Sequence, residues 1–243
     1  MPSKPRSRIQ RLARHRRRRP PIKPAARRGG SPGPKAPSVL EVVLATRNEG
    51  KVREFIELMR DLPMQVYSLD AFPQIPELPE DGLTYTENAV SKASTVARLT
   101  RRVAVADDSG IEVDALQGAP GPQSRRFLGE RASDAARNDR ITKLLQNVPA
   151  EARTARYRAV VAVTTPDGKV RTFEGVCEGQ VLTAPRGSGG FGYDPIFFVP
   201  AYGKSMAQLP LAVKNRVSHR AQAFAAARPY LRKLAIGTDT PSD

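Results

Sequence analysis

The stretch Val39–Ala45 reads VLEVVLA, a short apolar run followed at once by a helical period, and this pairing constrains the chain more than any other feature. In residues 48–62, Val52, Phe55, Ile56 and Met59 fall at i, i+3, i+4 and i+7, the spacing of one helix face. Met64–Leu69 predicts a second strand. Residues 70–83 form a loop carrying Pro73, Pro76 and Pro79 with the acids Glu77, Glu80 and Asp81. Residues 84–100 predict a helix whose inner face is Ala89, Ala93, Val96 and Ala97. Val103–Ala106 predicts a third short strand that ends on Asp107-Asp108-Ser109-Gly110. A helix over 133–146 comes next. The β-rich runs Ala155–Thr165 and Lys169–Cys177 are joined by Pro166-Asp167-Gly168, a hairpin turn signal. A glycine-rich loop at Gly187–Gly192, a strand at Ile196–Val199 and a closing helix over 218–235 complete the pattern. The expected fold is α/β, a mixed central sheet with flanking helices and two lobes around a substrate cleft, over residues 38–237. Residues 238–243 are expected to be a disordered end.

Charge divides the chain sharply. Residues 1–37 hold 13 Lys or Arg and no acid; Glu41 is the first. The rest holds 27 bases against 24 acids, so the formal net charge of +16 belongs mainly to this segment. Rich in Arg, Pro and Gly, it has too few large apolar residues to offset its ordering entropy and is expected to be a disordered basic tail. Two readings stay open for it: an arm that binds nucleic acid or another polyanion, and a solvated tail without function. Cys177 is the single cysteine, which excludes an intramolecular disulfide and a cysteine zinc site. His15 and His219 are too few for a histidine metal centre. No run approaches the ~18–20 apolar residues of a membrane span, so no membrane partner is expected.

Four stretches carry chemistry. Thr46-Arg47-Asn48-Glu49-Gly50-Lys51 lies between a strand end and a helix start, where backbone N–H groups attract anions and Lys51 adds charge. It is either a phosphate cradle or an ordinary start capped by Asn48, and it lacks Walker spacing. In Asp107-Asp108-Ser109-Gly110 two adjacent carboxylates leave a strand toward opposite sides, so one can face a cleft while the other faces the scaffold. Oxygen ligands suit Mg²⁺, which takes one or two carboxylates together with substrate phosphates; an Asp-Ser-Gly turn is the alternative. Ser188 to Pro195 (SGGFGYDP) offers close backbone approach, flat faces at Phe191 and Tyr193 for stacking a base, and Asp194 as an acceptor for a base or ribose. Lys214 with Ser218-His219-Arg220 can bind phosphate or a base oxygen, although a lone His219 also suits a structural role and Ser218 can simply cap the last helix.

In their order and content these stretches resemble the inosine triphosphatase family, pyrophosphatases that remove deaminated purine nucleoside triphosphates. The resemblance runs from about Val42 to about Leu234, through VLATRNEGKVREF (43–55), LTYTENAVSKA (83–93), ADDSGIEVDALQGAPG (106–121), GSGGFGYDPIFFVP (187–200) and VSHRAQA (217–223). It implies that Thr46, Arg47, Asn48, Glu49, Gly50 and Lys51 hold the triphosphate. Asp108 would be the essential acid, as metal ligand, general base or both, and Ser109 would touch substrate. Mg²⁺ would be held by Asp108 and a second acid, Glu80, with Glu77 and Glu87 as rivals. Lys92 would be a further active-site residue. Phe191, Gly192, Tyr193 and Asp194 would surround the base, and Lys214, His219 and Arg220 would complete the contacts.

The implied reaction is hydrolysis of dITP, ITP or XTP to the monophosphate and pyrophosphate, by a homodimer. A cytoplasmic setting is expected from the lack of a secretory signal, a span and paired cysteines, with an organelle the alternative if the tail is a transit peptide. Donors from Arg220, His219 or a loop N–H would favour a purine 6-oxo group over the 6-amino group of adenine. Two departures fall outside the assigned residues. Leu128 stands where the family often has a small polar residue, and Leu209–Val213 lacks the acids that usually precede Lys214. The rival readings are a relative acting on pyrimidine or modified nucleotides, opposed by the SHR and FGYDP motifs, and a nucleic-acid-binding protein built around the basic arm, opposed by the balanced charge of residues 38–243.

Overall fold

The computed structural model describes residues 39–237; the basic segment 1–37 and the end 238–243 lie outside them. Seven strands form one sheet: β1 (Leu40–Leu44), β2 (Met64–Ser68), β3 (Val103–Val113), β4 (Thr154–Thr164), β5 (Val170–Val181), β6 (Phe197–Val199) and β7 (Lys204–Ser205). Their order is β2-β1-β3-β4-β5-β6-β7. β1 pairs in parallel with β2 and β3, and every later pairing is antiparallel, so the sheet is mixed. Helices α1 (Glu49–Met59), α2 (Tyr85–Thr100), α3 (Asp134–Leu144), α4 (Leu211–Val217) and α5 (His219–Ile236) flank it.

Local chemistry sets the helix ends. Asn48 caps α1 by accepting from the Lys51 amide at 3.1 Å. α2 opens on a capping box between Thr84 and Glu87. Ser218 accepts from the Ala221 amide and caps α5. The strand alternation of β3 then decides which helix meets which face. Val103 and Val105 join a core with Phe55 and Met59 of α1 and Phe224, Ala227 and Leu231 of α5. Ala104 and Ala106 face the other way, into a core with Ala89, Ala93, Val96 and Ala97 of α2. A third core gathers Ile111, Ile141, Tyr157, Ile196 and Phe197 toward the β6 end. The two expected lobes correspond to two ends of one continuous sheet, spanned by the long strands β3, β4 and β5. No helix among the described residues is long and apolar enough to cross a membrane.

Three differences from the sequence reading stand out. β3 does not stop at Ala106. It runs on to Val113, because β4 supplies a continuous antiparallel partner from Thr164 back to Ala155 and Ile111 and Val113 keep burying apolar surface. The turn preference of Asp-Ser-Gly yields to that ladder. β5 likewise extends four residues past Cys177, to Val181. Ile56 is half exposed, and α1 instead buries Glu54 beside Phe55 and Met59.

Candidate active site

β1 stops pairing with β3 at Leu44 opposite Val105. The Ala45 amide still donates to the Val105 carbonyl at 2.8 Å, and then the first chain turns away. β3 continues alone on that side, so Asp107 and Asp108 stand beside the turn at Thr46–Asn48. This is the carboxyl end of a parallel strand, where open α/β sheets leave a binding crevice.

On the α1/α5 face, Asp107 enters a continuous chain of charges. Its Oδ1 lies 3.0 Å from Lys51 Nζ, and its Oδ2 accepts from Arg220 Nε at 3.0 Å. Arg220 Nη1 donates to Glu54 Oε2 at 2.6 Å and Nη2 to Ser109 Oγ at 3.0 Å. Glu54 Oε1 lies 2.8 Å from Lys214 Nζ, which also donates to Asp194 Oδ2 at 2.5 Å. Three cations thus alternate with three carboxylates, all largely withdrawn from water. Burial pushes the Asp107 carboxyl up, but Lys51, Arg220 and Lys92 outweigh it and hold Asp107 far below the ordinary carboxylate range.

On the α2 face the balance differs. Asp108 Oδ2 accepts from Asn88 Nδ2 at 2.9 Å, and Oδ1 lies 3.6 Å from Lys92 Nζ. That ammonium is shared: it donates to Glu80 Oε1 at 2.5 Å and to the Asp107 carbonyl at 2.8 Å. Two carboxylates therefore compete for one buried cation, with Arg126 3.8 Å from Glu80. Burial pushes Asp108 above its usual value, against Lys92 and Lys51 and with help from Glu80. For Glu80 burial is outweighed by Lys92 and Lys51, and its carboxyl is held below the ordinary range. Glu80 thus has two cations within 4 Å and Asp108 only the shared ammonium, and two such oxygen donors could hold a hard divalent cation. Of the rival acids, Glu77 is exposed, and Glu87 is consumed by the Leu83 and Thr84 amides in the α2 capping box.

The remaining predicted residues divide by what they touch. Thr46 Oγ1 accepts from the Asn48 amide at 3.1 Å and shapes the turn. Arg47 reaches away, donating to the Ile75 carbonyl at 2.7 Å, so it pins the proline-rich loop. Glu49 is exposed at the first position of α1. Gly50 is required by contact: a Cβ there would come within 2.5 Å of Phe191 Cδ1. That approach seats the Phe191 ring against the 46–51 turn, beneath Lys214 (4.8 Å from Nζ to ring centroid) and Arg220 (5.5 Å). Ser109 Oγ bridges Asp107 and Arg220.

Several roles read from the sequence move inward. Tyr193 does not offer a face to a base: it is buried in the third core and donates to the Ser124 carbonyl at 2.8 Å. Asp194 is not open to a ribose, since it accepts from Lys214, the Phe191 amide and the Tyr157 hydroxyl. Arg220 is committed to Asp107, Glu54 and Ser109, and Lys214 to Glu54 and Asp194. His219 stacks on Tyr157 at 4.5 Å, and its buried Nδ1 has no hydrogen-bond partner among the described residues. Burial, with Arg220 and Lys214 beside it, holds its pKa well below the usual value, so the ring is neutral. Gly192 turns its backbone elsewhere: its amide donates to Asp134 and its carbonyl accepts from Asn138.

The sequence reading missed Glu54 and Asn88. Each had a signal. Glu54 is three residues after Lys51 and shares its helix face, an acid on a stripe that must turn inward. Asn88 is four residues before Lys92 on α2 and so lies one turn from it.

Known proteins are similar to this chain over most of its length. Residues 42–230 match the Ham1 family. A protein of Desulforamulus reducens named dITP/XTP pyrophosphatase is 48% identical over 197 residues, covering 81% of this chain and 98% of that one. One of the same name from Geobacter sulfurreducens is 50% identical over 190 residues, covering 78% and 96%. Among solved structures, a HAM1 protein from Coxiella burnetii superposes with a TM-score of 0.73 at 38% identity, over 80% of this chain and 99% of that chain. The resemblance read from the motifs is thereby borne out, and the chain belongs to the Ham1 family.

Proposed function

We propose that this protein hydrolyses dITP, ITP and XTP to the nucleoside monophosphate and pyrophosphate, and so keeps deaminated purines out of DNA and RNA. One observation carries the reading: stretches more than a hundred residues apart in sequence converge on Asp107 and Asp108, bringing the turn 46–51, Phe191 and the Lys214–Arg220 segment to one crevice. Relatives named dITP/XTP pyrophosphatase support it.

In this reading the amides opening α1 and the Lys51 ammonium bind the phosphates. Asp108 is the reactive carboxylate, fit to accept a proton from water or to hold a cation, because it is buried and under-neutralised. Asp107 holds Lys51 and Arg220 in place. Mg²⁺ belongs to the proposal; the pairing of Asp108 and Glu80 on one ammonium supports it, and when bound it would neutralise phosphate charge. The Phe191 ring is the stacking platform for the purine. With Arg220 committed to its carboxylates, discrimination for the 6-oxo group passes to neutral His219 and the loop amides, and His219 has a ring nitrogen to spare. A homodimer, carried by the family resemblance, and a cytoplasmic setting, expected from the sequence, are part of the same proposal.

The test is pyrophosphate release with Mg²⁺ from ITP, XTP, ATP and GTP, by the wild-type protein and Asp108→Asn. Strong preference for ITP and XTP, lost in the variant, is expected. Equal hydrolysis of all four would overturn the 6-oxo argument, and no pyrophosphate from any would turn the reading toward modified pyrimidine nucleotides.

A further inference from the structure

The Phe191 ring rides on a loop with little to hold it. Residues 187, 189, 190 and 192 are all glycine, so few side chains brace the backbone from Gly187 to Gly192. Beside it lies an open groove of about 340 Å³, lined by Asn138, Thr142, Pro185, Ser188 and Phe191 among others. The loop nevertheless has fixed anchors. On one side the Phe191 amide donates to Asp194 Oδ2 at 3.0 Å, and the Gly189 amide donates to the Ala207 carbonyl at 3.1 Å. On the other, both backbone groups of Gly192 are taken by one helix. Its amide donates to Asp134 Oδ2 at 2.8 Å, and its carbonyl accepts from Asn138 Nδ2 at 3.1 Å.

Both α3 residues are themselves held. Asp134 Oδ1 pairs with Arg137 Nη1 at 3.1 Å, and Arg137 is tied to the Phe127 and Gly129 carbonyls. Asn138 is 4% exposed, and its Oδ1 has no partner among the described residues. Its amide is therefore buried for the sake of one bond, the bond to Gly192. Gly192 has φ +62°, a left-handed conformation whose rotation would swing the adjacent Phe191.

We propose that Asp134 and Asn138 are positioning residues for the reaction. They clamp both backbone groups of Gly192 and so fix the Phe191 ring at the angle a purine must stack against. The inference rests on the reading of Phe191 as the base platform. α3 touches no substrate in this account; it acts through Phe191.

The test combines kinetics with hydrogen exchange. Asn138→Leu keeps the side-chain volume and removes the donor. With ITP, its KM is expected to rise roughly tenfold while kcat stays within about twofold. Asp134→Ala should behave alike, and Asp134→Asn, whose carbonyl still accepts from the Gly192 amide, should restore KM. In a Phe191→Ala background Asn138→Leu should add nothing to KM, since a residue acting through Phe191 is silent without it. Additive effects of Asn138→Leu and Phe191→Ala, or a lowered Tm with unchanged KM, would overturn the proposal. Hydrogen exchange on the free protein separates this from failure of the functional reading. Faster exchange across 189–192 in Asp134→Ala supports the clamp whichever nucleotide is turned over, and unchanged exchange overturns it.

Discussion

Asp107 and Asp108 are neighbours on one strand, yet the two faces of β3 treat them oppositely. On the α1/α5 face, Lys51, Lys214 and Arg220 balance Asp107, Glu54 and Asp194, so every buried charge has an opposite partner in contact. On the α2 face, Asp108 and Glu80 share Lys92; Glu80 also has Arg126 at 3.8 Å, and Asp108 has no second cation within 4 Å among the described residues. The first arrangement is self-sufficient and rigid. The second leaves Asp108 buried with one shared cation at 3.6 Å, and burial raises its pKa. A single strand can do both because alternate residues face different helices, and each helix brings a different charge count. In this chain the scaffold carboxylate and the one proposed as reactive are neighbours on one strand.

Substitutions can break this comparison. Asp108→Asn should lower turnover by about 10²–10⁴-fold, the usual contribution of a positioned acid or base, measured as pyrophosphate release from ITP. Asp107→Asn should act first on the fold. Removing one partner of a buried ion-pair chain costs about 3–5 kcal/mol, which urea denaturation would read as a lowered midpoint. The smallest effect lies away from both faces. Leu128 is half exposed with φ +68°, a conformation that costs a branched side chain about 1 kcal/mol. Leu128→Asn should recover an amount of that order in thermal denaturation without changing KM, and it sets the scale against which the Asp107 loss is judged.

Much of this was legible in the sequence because it is local. The β1–α1–β2 succession followed from one apolar run and one helical period, and Asn48 and Ser218 could be read as caps from their place before a helix. The family motifs pointed to Asp108 and Lys92, with Glu80 preferred over Glu77 and Glu87; the structure brings Asp108 and Glu80 to the Lys92 ammonium. What escaped depends on partners distant in the chain. Glu54 meets Arg220 across 166 residues, a contact that only the sheet order creates. Tyr193 and Asp194 looked like base contacts because an aromatic and an acid in a glycine loop suit a ligand; Ser124, Tyr157 and Lys214, brought up by other elements, take them first. Asp107-Asp108-Ser109-Gly110 resembled a turn because its residues favour one, and β4 overrode that preference by supplying a ladder.

The most direct measurement is the thermal stability of the wild-type protein, Asp107→Asn and Asp108→Asn from pH 4 to pH 8. The Asp108 pKa is raised in the folded state, so the folded protein holds its proton longer than the unfolded chain and loses stability as pH rises through that interval. Asp108→Asn lacks this loss. Its Tm should equal or exceed that of the wild type at pH 7, and its advantage should grow as pH rises from 4. The Asp107 pKa is lowered, so its contribution is present above the unfolded value of about 4 and lost as pH falls below it. Asp107→Asn should therefore lie well below the wild type across this range, by a nearly constant gap that begins to close only as pH falls below about 4. If Asp108→Asn instead loses as much stability at pH 7 as Asp107→Asn, the two carboxylates are equally satisfied by the fold, and the division between scaffold and reactive group is wrong.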